Sequence, residues 1–144
     1  MIHDLFTGVK RTSLTPGELV VSVTVPVLDG YQGFTKVGVR NAMVIAMASA
    51  CLAVDRPART IRVALGAVGP TVLRARQAEA WVADRMDWDG GHAGAALAAE
   101  FGERVAAEAR PIDDHRSTAR YRRHAVGVLA SRLLVRAFPE GPPA

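Results

Sequence analysis

The sequence predicts an α+β fold, an antiparallel sheet of three to four strands followed by three helices packed on one face. Period-2 alternation is confined to the first half of the chain, helical spacing takes over after Val72, and the composition shifts once, near Gly66–Pro70. At 144 residues and 15.3 kDa the chain has the size of one domain. A domain of that length buries roughly 68–70% of its unfolded surface. We expect that domain over residues 1–138, with a flexible Pro-rich tail, Pro139-Glu140-Gly141-Pro142-Pro143-Ala144, behind it.

The first strand is expected over Glu18–Val25. Leu19, Val21, Val23 and Val25 alternate there with Val20, Ser22 and Thr24 before Pro26 stops the run. Asp29-Gly30 forms a turn, and Tyr31–Val37 follows as a second strand, so the two are expected to form a hairpin. Val44–Val54 is apolar on both faces, which fits a central strand, and Thr60–Ala67 is an alternating strand with Ile61, Val63 and Leu65 inward. The first helix, Arg74–Met86, carries Ala75, Ala78 and Trp81 on one face and ends at Asp89-Gly90-Gly91. The second, His92–Ala109, aligns Leu97, Phe101 and Val105 and stops before Pro111. The third starts at Asp113 or Asp114, both good N-caps, and runs to about Ala137.

Composition excludes several function classes. Hydrophobic residues make up 49% and charged residues 22%, too apolar for a disordered binder. The single cysteine, Cys51, rules out an internal disulfide framework and a multi-cysteine metal site, and fits a reducing compartment. The longest apolar stretch, Ala42–Val54, is shorter than the roughly 20 residues of a membrane span. No charged segment followed by an apolar one opens the chain, since Asp4 and Lys10 interrupt it, so a cytoplasmic, non-membrane protein is expected.

The formal charge of +4 and pI near 10.0 raise the question of nucleic acid. Lysine occurs only at Lys10 and Lys36, the arginines are scattered among acids, and the one tight run is Arg120, Arg122 and Arg123. That pattern belongs to solvated or ion-paired helix faces, so no nucleic-acid partner is expected.

Residue chemistry gives no catalytic centre and no metal site. His3, His92, His115 and His124 lack the i, i+4 pairing of a helical metal site. Cys51, inside an apolar strand with no neighbouring base, is expected to be a packed core thiol. Ser117 and His124 stand two turns apart, too far for a dyad, and Gly66–Pro70 lacks the lysine of a phosphate loop. The third helix holds one anomaly. At about 100° per residue, Arg122 falls about 20° from Leu129, inside the apolar stripe formed with Ala125, Val126 and Leu133. A buried guanidinium needs acceptors, so Arg122 is expected to tie to Asp113, Asp114 or Glu18, or to anchor an interface.

Three stretches, GFTKVGVRNAMVIAMASACLAV, IRVALGAVGPTVLRARQAEAWV and RPIDDHRSTARYRRHAVGVLASRLL, together resemble the C-terminal domain of the flavin-binding medium subunit of molybdenum hydroxylases, the carbon monoxide dehydrogenase and xanthine dehydrogenase families. The resemblance runs from Phe6 to Leu134 and rests on the R-x-A-L-G turn and the D-x-R-x-x-x-x-Y-R-R helix start. It implies an accessory domain that closes the site of an FAD gripped by preceding domains, without being catalytic by itself. It also implies an FAD-binding domain or chain, an iron–sulfur small subunit and a molybdopterin large subunit as partners. Lys36 in FTKVGVR matches a lysine near the flavin, Val20 a position that contacts the cofactor, and Arg40 an arginine shortly after that lysine. Gly8-Val9-Lys10-Arg11-Thr12 matches a basic segment that runs near the flavin. The competing reading is a stand-alone interaction module of the same fold that has lost the cofactor.

Overall fold

The computed structural model describes residues 2–139. A short helix α1 (Ile2–Leu5) leads into a two-stranded hairpin, β1 (Phe6–Gly8) and β2 (Arg11–Thr12). The main sheet is antiparallel, in the order β3 (Gln32–Val37), β4 (Ala48–Asp55), β5 (Thr60–Gly66) and β6 (Leu73–Arg74). Helices α2 (Arg76–Arg85), α3 (Ala95–Glu108) and α4 (Ala119–Ala137) follow. Among the described residues no helix is long and apolar enough to cross a membrane. The tail expected from Pro139 onward lies, from residue 140, outside the described residues.

Alternation decides which side of the sheet is dry. Ala48, Ala50, Leu52 and Val54 of β4 and Ile61, Val63 and Leu65 of β5 are buried, whereas Cys51 and Arg62 are exposed on the other side. Helix α4 covers β4 and β3 on the buried side, α2 covers β5, and α3 packs across α4 and α2. Phe101, Val105, Val126, Leu133 and Leu134 join the strand residues in one core, closed at the end of the chain by Phe138, whose ring meets Trp88 edge-on at 5.7 Å. A carboxylate completes the β5 edge. Buried Glu79 accepts from the Val63 backbone N–H at 2.8 Å and from the Arg74 guanidinium, where β6 is too short to continue the ladder.

Four sequence-based expectations require correction. Glu18–Val25 forms no strand and no hairpin with β3; it is irregular and exposed, because no strand among the described residues pairs with it. The central strand begins at Ala48 and not at Val44, since residues 38–46 form a loop closed at its base by the bond from Met47 N–H to the Val37 carbonyl, 2.8 Å. Cys51 is exposed on the open side of β4, not packed in the core. Helix α4 starts at Ala119, with Thr118 as its N-cap. Asp113 accepts from Ala119 N–H, the first of the helix, without being its N-cap, and Asp114 accepts from Arg116 and Ser117 N–H in the loop before it.

Candidate functional site

Strand pairing fixes one end of the sheet as the candidate site. Val37 lies opposite Ala48, and Ser49 opposite Gly66, so the end of β3, the start of β4 and the end of β5 coincide there. The loop after β3 and the turn after β5 therefore emerge side by side. Phe6, Gly8, Lys10, Arg11 and Thr12 of the small hairpin share a groove with Pro70, Thr71 and Val72, which brings the basic segment to the same end.

Lys36 projects from the open side of β3, as does Phe34, while Thr35 and Val37 turn toward α4. Its ammonium donates to the Val44 carbonyl at 2.8 Å and so spans the loop. An ammonium has three donors, so this bond leaves capacity for a further acceptor. Arg40 stands exposed within the same loop, whose bend is held by Ala42 N–H donating to the Arg40 carbonyl at 3.0 Å. Val20 lies in the irregular segment, exposed. Lys36, the loop that carries Arg40, and the hairpin thus lie at one end of the sheet, and no bond or pairing among the described residues joins Val20 to them.

Two features of this end were not legible as site features. Small residues form the open side beside Lys36: Ser49 faces it across the ladder, Gly66 follows on β5, and Cys51 and Ala64 continue the next row beyond Phe34. A side chain at Gly66 would meet Ser49 Oγ, so glycine keeps that shelf low. The only sequence signal was the run of small residues at alternate positions.

The second feature is the tie beneath the loops. Arg122, 5% exposed, donates to the Met47 carbonyl at 2.8 Å, to the Ala67 carbonyl at 2.8 Å and to Asp114 Oδ1 at 2.7 Å. It joins the start of β4, the turn after β5 and the loop before α4, which confirms Asp114 among the partners expected for it. Ala67 holds a left-handed backbone conformation, φ 60°, that turns the chain just where its carbonyl meets Arg122. Hydrogen bonds from Arg116 N–H, the Arg122 guanidinium and Ser117 N–H hold the Asp114 carboxyl down to about 2 from its ordinary 3.8.

The residues present fit one wall of a flavin site. A low shelf bordered by Phe34 and Lys36 offers flat apolar contact with a cation at its rim. The N-termini of α2 and α4 are already engaged by side chains, whereas that of α3, at Gly94, carries no side-chain cap. Glu108 accepts from Gln77 and Ala78 N–H at the start of α2, and Thr118 and Asp113 accept from the first turn of α4.

Residues 34–137 match the family model described as the CO dehydrogenase flavoprotein C-terminal domain. The chain is 34% identical over 132 residues to the glyceraldehyde dehydrogenase medium chain of Sulfolobus acidocaldarius, covering 90% of this chain and 45% of that one. Among solved structures it is similar to quinoline 2-oxidoreductase from Pseudomonas putida 86, with TM-score 0.78, 21% identity, and 93% of this chain covering 46% of that one. It is also similar to CO dehydrogenase from Oligotropha carboxidovorans, with TM-score 0.75, 24% identity, and 96% of this chain covering 48% of that one. These two likenesses establish the fold, and the chain spans about half the length of the proteins it matches. By its match over most of its length, the chain belongs to the CO dehydrogenase flavoprotein C-terminal domain family.

Proposed function

We propose that this chain is the accessory C-terminal domain of the FAD-binding medium subunit of a molybdenum hydroxylase. It works with an FAD-binding domain or chain and, through it, with an iron–sulfur small subunit and a molybdopterin large subunit. Family membership combined with the gathering of Lys36, Arg40 and the Lys10-Arg11 hairpin at one end of the sheet carries this reading.

FAD, when bound, supplies the electron chemistry. This chain's part is electrostatic and steric. Lys36 and Arg40 place positive charge where negative charge develops on reduction, and the loop anchored by Lys36 and Arg122 holds those charges in position. Phe34, exposed on the same side of the sheet as Lys36, offers apolar cover there.

The test is a flavin titration of the chain alone and of the chain co-expressed with the remainder of the Sulfolobus acidocaldarius medium chain. The expected result is little or no flavin on the isolated chain and stoichiometric flavin on the complex. Stoichiometric yellow flavin on the isolated chain would overturn the shared-site reading. A complex that forms without flavin would favour the stand-alone interaction module.

A further inference from the structure

Between β2 and β3 the chain carries an apolar segment that nothing in this domain uses. Leu19 is 85% exposed, Val21 95% and Val27 101%, with Val20, Val23 and Val25 also in solvent. Among the described residues, the segment is fastened at its ends. Thr15 and Glu18 bond to each other at the start, and the Gln32 side chain donates to the Leu28 carbonyl at the finish. Leu19, Val21, Val23 and Val25 share one side and Val20, Ser22 and Thr24 the other, and β-branched residues on both sides suit a strand within a sheet. Yet β3, seven residues beyond Val25, pairs only with β4 and leaves its other edge unused by this segment.

The comparisons indicate where a partner would come from. The family model starts at residue 34, so residues 19–25 stand outside it, whereas the 132-residue match and the structural coverage of 93–96% take in most of the residues before it. Those relatives are about twice as long. The segment therefore sits at the junction between the family domain and the other half of such a protein.

We infer that residues 19–25 are a donated strand that adds, by backbone hydrogen bonds, to a sheet edge of the FAD-binding partner chain. This rests on the proposed function, since that function supplies the partner. Strand addition gains affinity from main-chain bonds and specificity from alternate side chains. The segment offers both, unobstructed by contacts within its own domain.

The probe is the remainder of the Sulfolobus acidocaldarius medium chain, co-expressed with this chain in the presence of FAD. Proline removes backbone donors, and alternate residues of a strand point their N–H groups to the same edge. Val21→Pro/Val23→Pro therefore removes donors from one edge and Val20→Pro/Ser22→Pro from the other, while Val21→Thr/Val23→Thr keeps donors and branching. Expected are slowing of amide exchange over 19–25 by at least about tenfold on complex formation, at least about tenfold weaker assembly for at least one proline pair, and near wild-type assembly for the threonine pair. The melting of the isolated proline variants should match wild type, because the segment supports nothing in the domain.

A flavin-bearing complex that survives both proline pairs, with 19–25 still exchanging freely, overturns the donated strand and leaves the proposed function standing. Failure of the wild-type chain to form any complex overturns both. A dimer of the chain alone that the prolines dissociate would assign the strand to a second copy and overturn the inference as stated.

Discussion

Arg122 and Asp114 are joined at 2.7 Å between the first turns of α4 and the loop before it, and the same guanidinium holds the carbonyls of Met47 and Ala67. One side chain thus fixes three segments that approach the candidate site. A planar fork with several donors can serve three acceptors at once, which a lysine ammonium on a flexible stem does less well.

Arg122→Ala should therefore destabilise the domain by about 3 kcal/mol, because the buried Met47 carbonyl, the part-buried Ala67 carbonyl and the Asp114 carboxylate lose a charged donor. That corresponds to a melting point lower by roughly 10 °C for a chain of this size. Arg122→Lys should recover less than half of the loss. Arg123, next along α4 but exposed, should tolerate Arg123→Ala within about 0.5 kcal/mol. Thermal melts of the three variants decide the point; equal small effects at 122 and 123 would refute it.

Asp114 gives the same tie a pH dependence. Its carboxyl titrates at about 2 in the folded chain against 3.8 ordinarily. As pH falls, the unfolded chain takes up the proton first, so protons favour unfolding in this range. The contribution is complete above about 4 and is lost as pH falls toward about 2. Melting temperatures between pH 5 and pH 2 should fall more steeply for wild type than for Asp114→Asn, and parallel curves would count against the assignment.

The sheet core was legible because burial on one side writes itself into alternation, as at Ile61, Val63 and Leu65. Arg122 was legible from the helical period, which placed it in the apolar stripe. Its carbonyl partners were not, since Met47 and Ala67 meet it only after strands far apart in sequence have paired. The start of β4 was obscured because Val44–Met47 is as apolar as a strand, although Val44 serves the loop through its bond to Lys36. Cys51 was misplaced because apolar residues on both sides of β4 hide which side is dry. Glu18–Val25 shows a different limit, in which alternation advertises pairing without saying where the partner is.

Helices α3 and α4 touch backbone to backbone at Gly102 and Gly127. A side-chain carbon at either residue would lie 2.7 Å from the carbonyl oxygen of the other, closer than such atoms approach. Gly127→Ala should therefore force the helices apart and cost about 2 kcal/mol, exceeding the gain of about 1 kcal/mol in helix propensity. Gly8, where an added side-chain carbon meets nothing within 4 Å, is the control, and Gly8→Ala should stay within about 0.5 kcal/mol. Chemical denaturation of both variants separates steric exclusion at the crossing from a general intolerance of glycine replacement.

The charge on Lys36 can be separated from its place in the fold. Lys36 projects from the open side of β3 and spends one donor on the Val44 carbonyl, so Lys36→Met keeps most of the stem while removing the ammonium and that bond. The core on the other side of the sheet is untouched, and the isolated variant should melt within a few degrees of wild type, about 1 kcal/mol at most. In the complex with an FAD-binding chain, loss of a cation disfavours the reduced anionic flavin, so the midpoint potential should fall. A charge about 4 Å away in a water-like medium contributes about 1 kcal/mol, equivalent to about 20 mV for a two-electron couple. Lys36→Arg, which retains the charge, should restore most of the potential even if the bond to Val44 is altered. Spectroelectrochemical titration of wild type and both variants reads this directly: a potential unchanged by Lys36→Met would make Lys36 a loop staple alone, and a fall that Lys36→Arg does not reverse would trace the effect to loop geometry and not to charge.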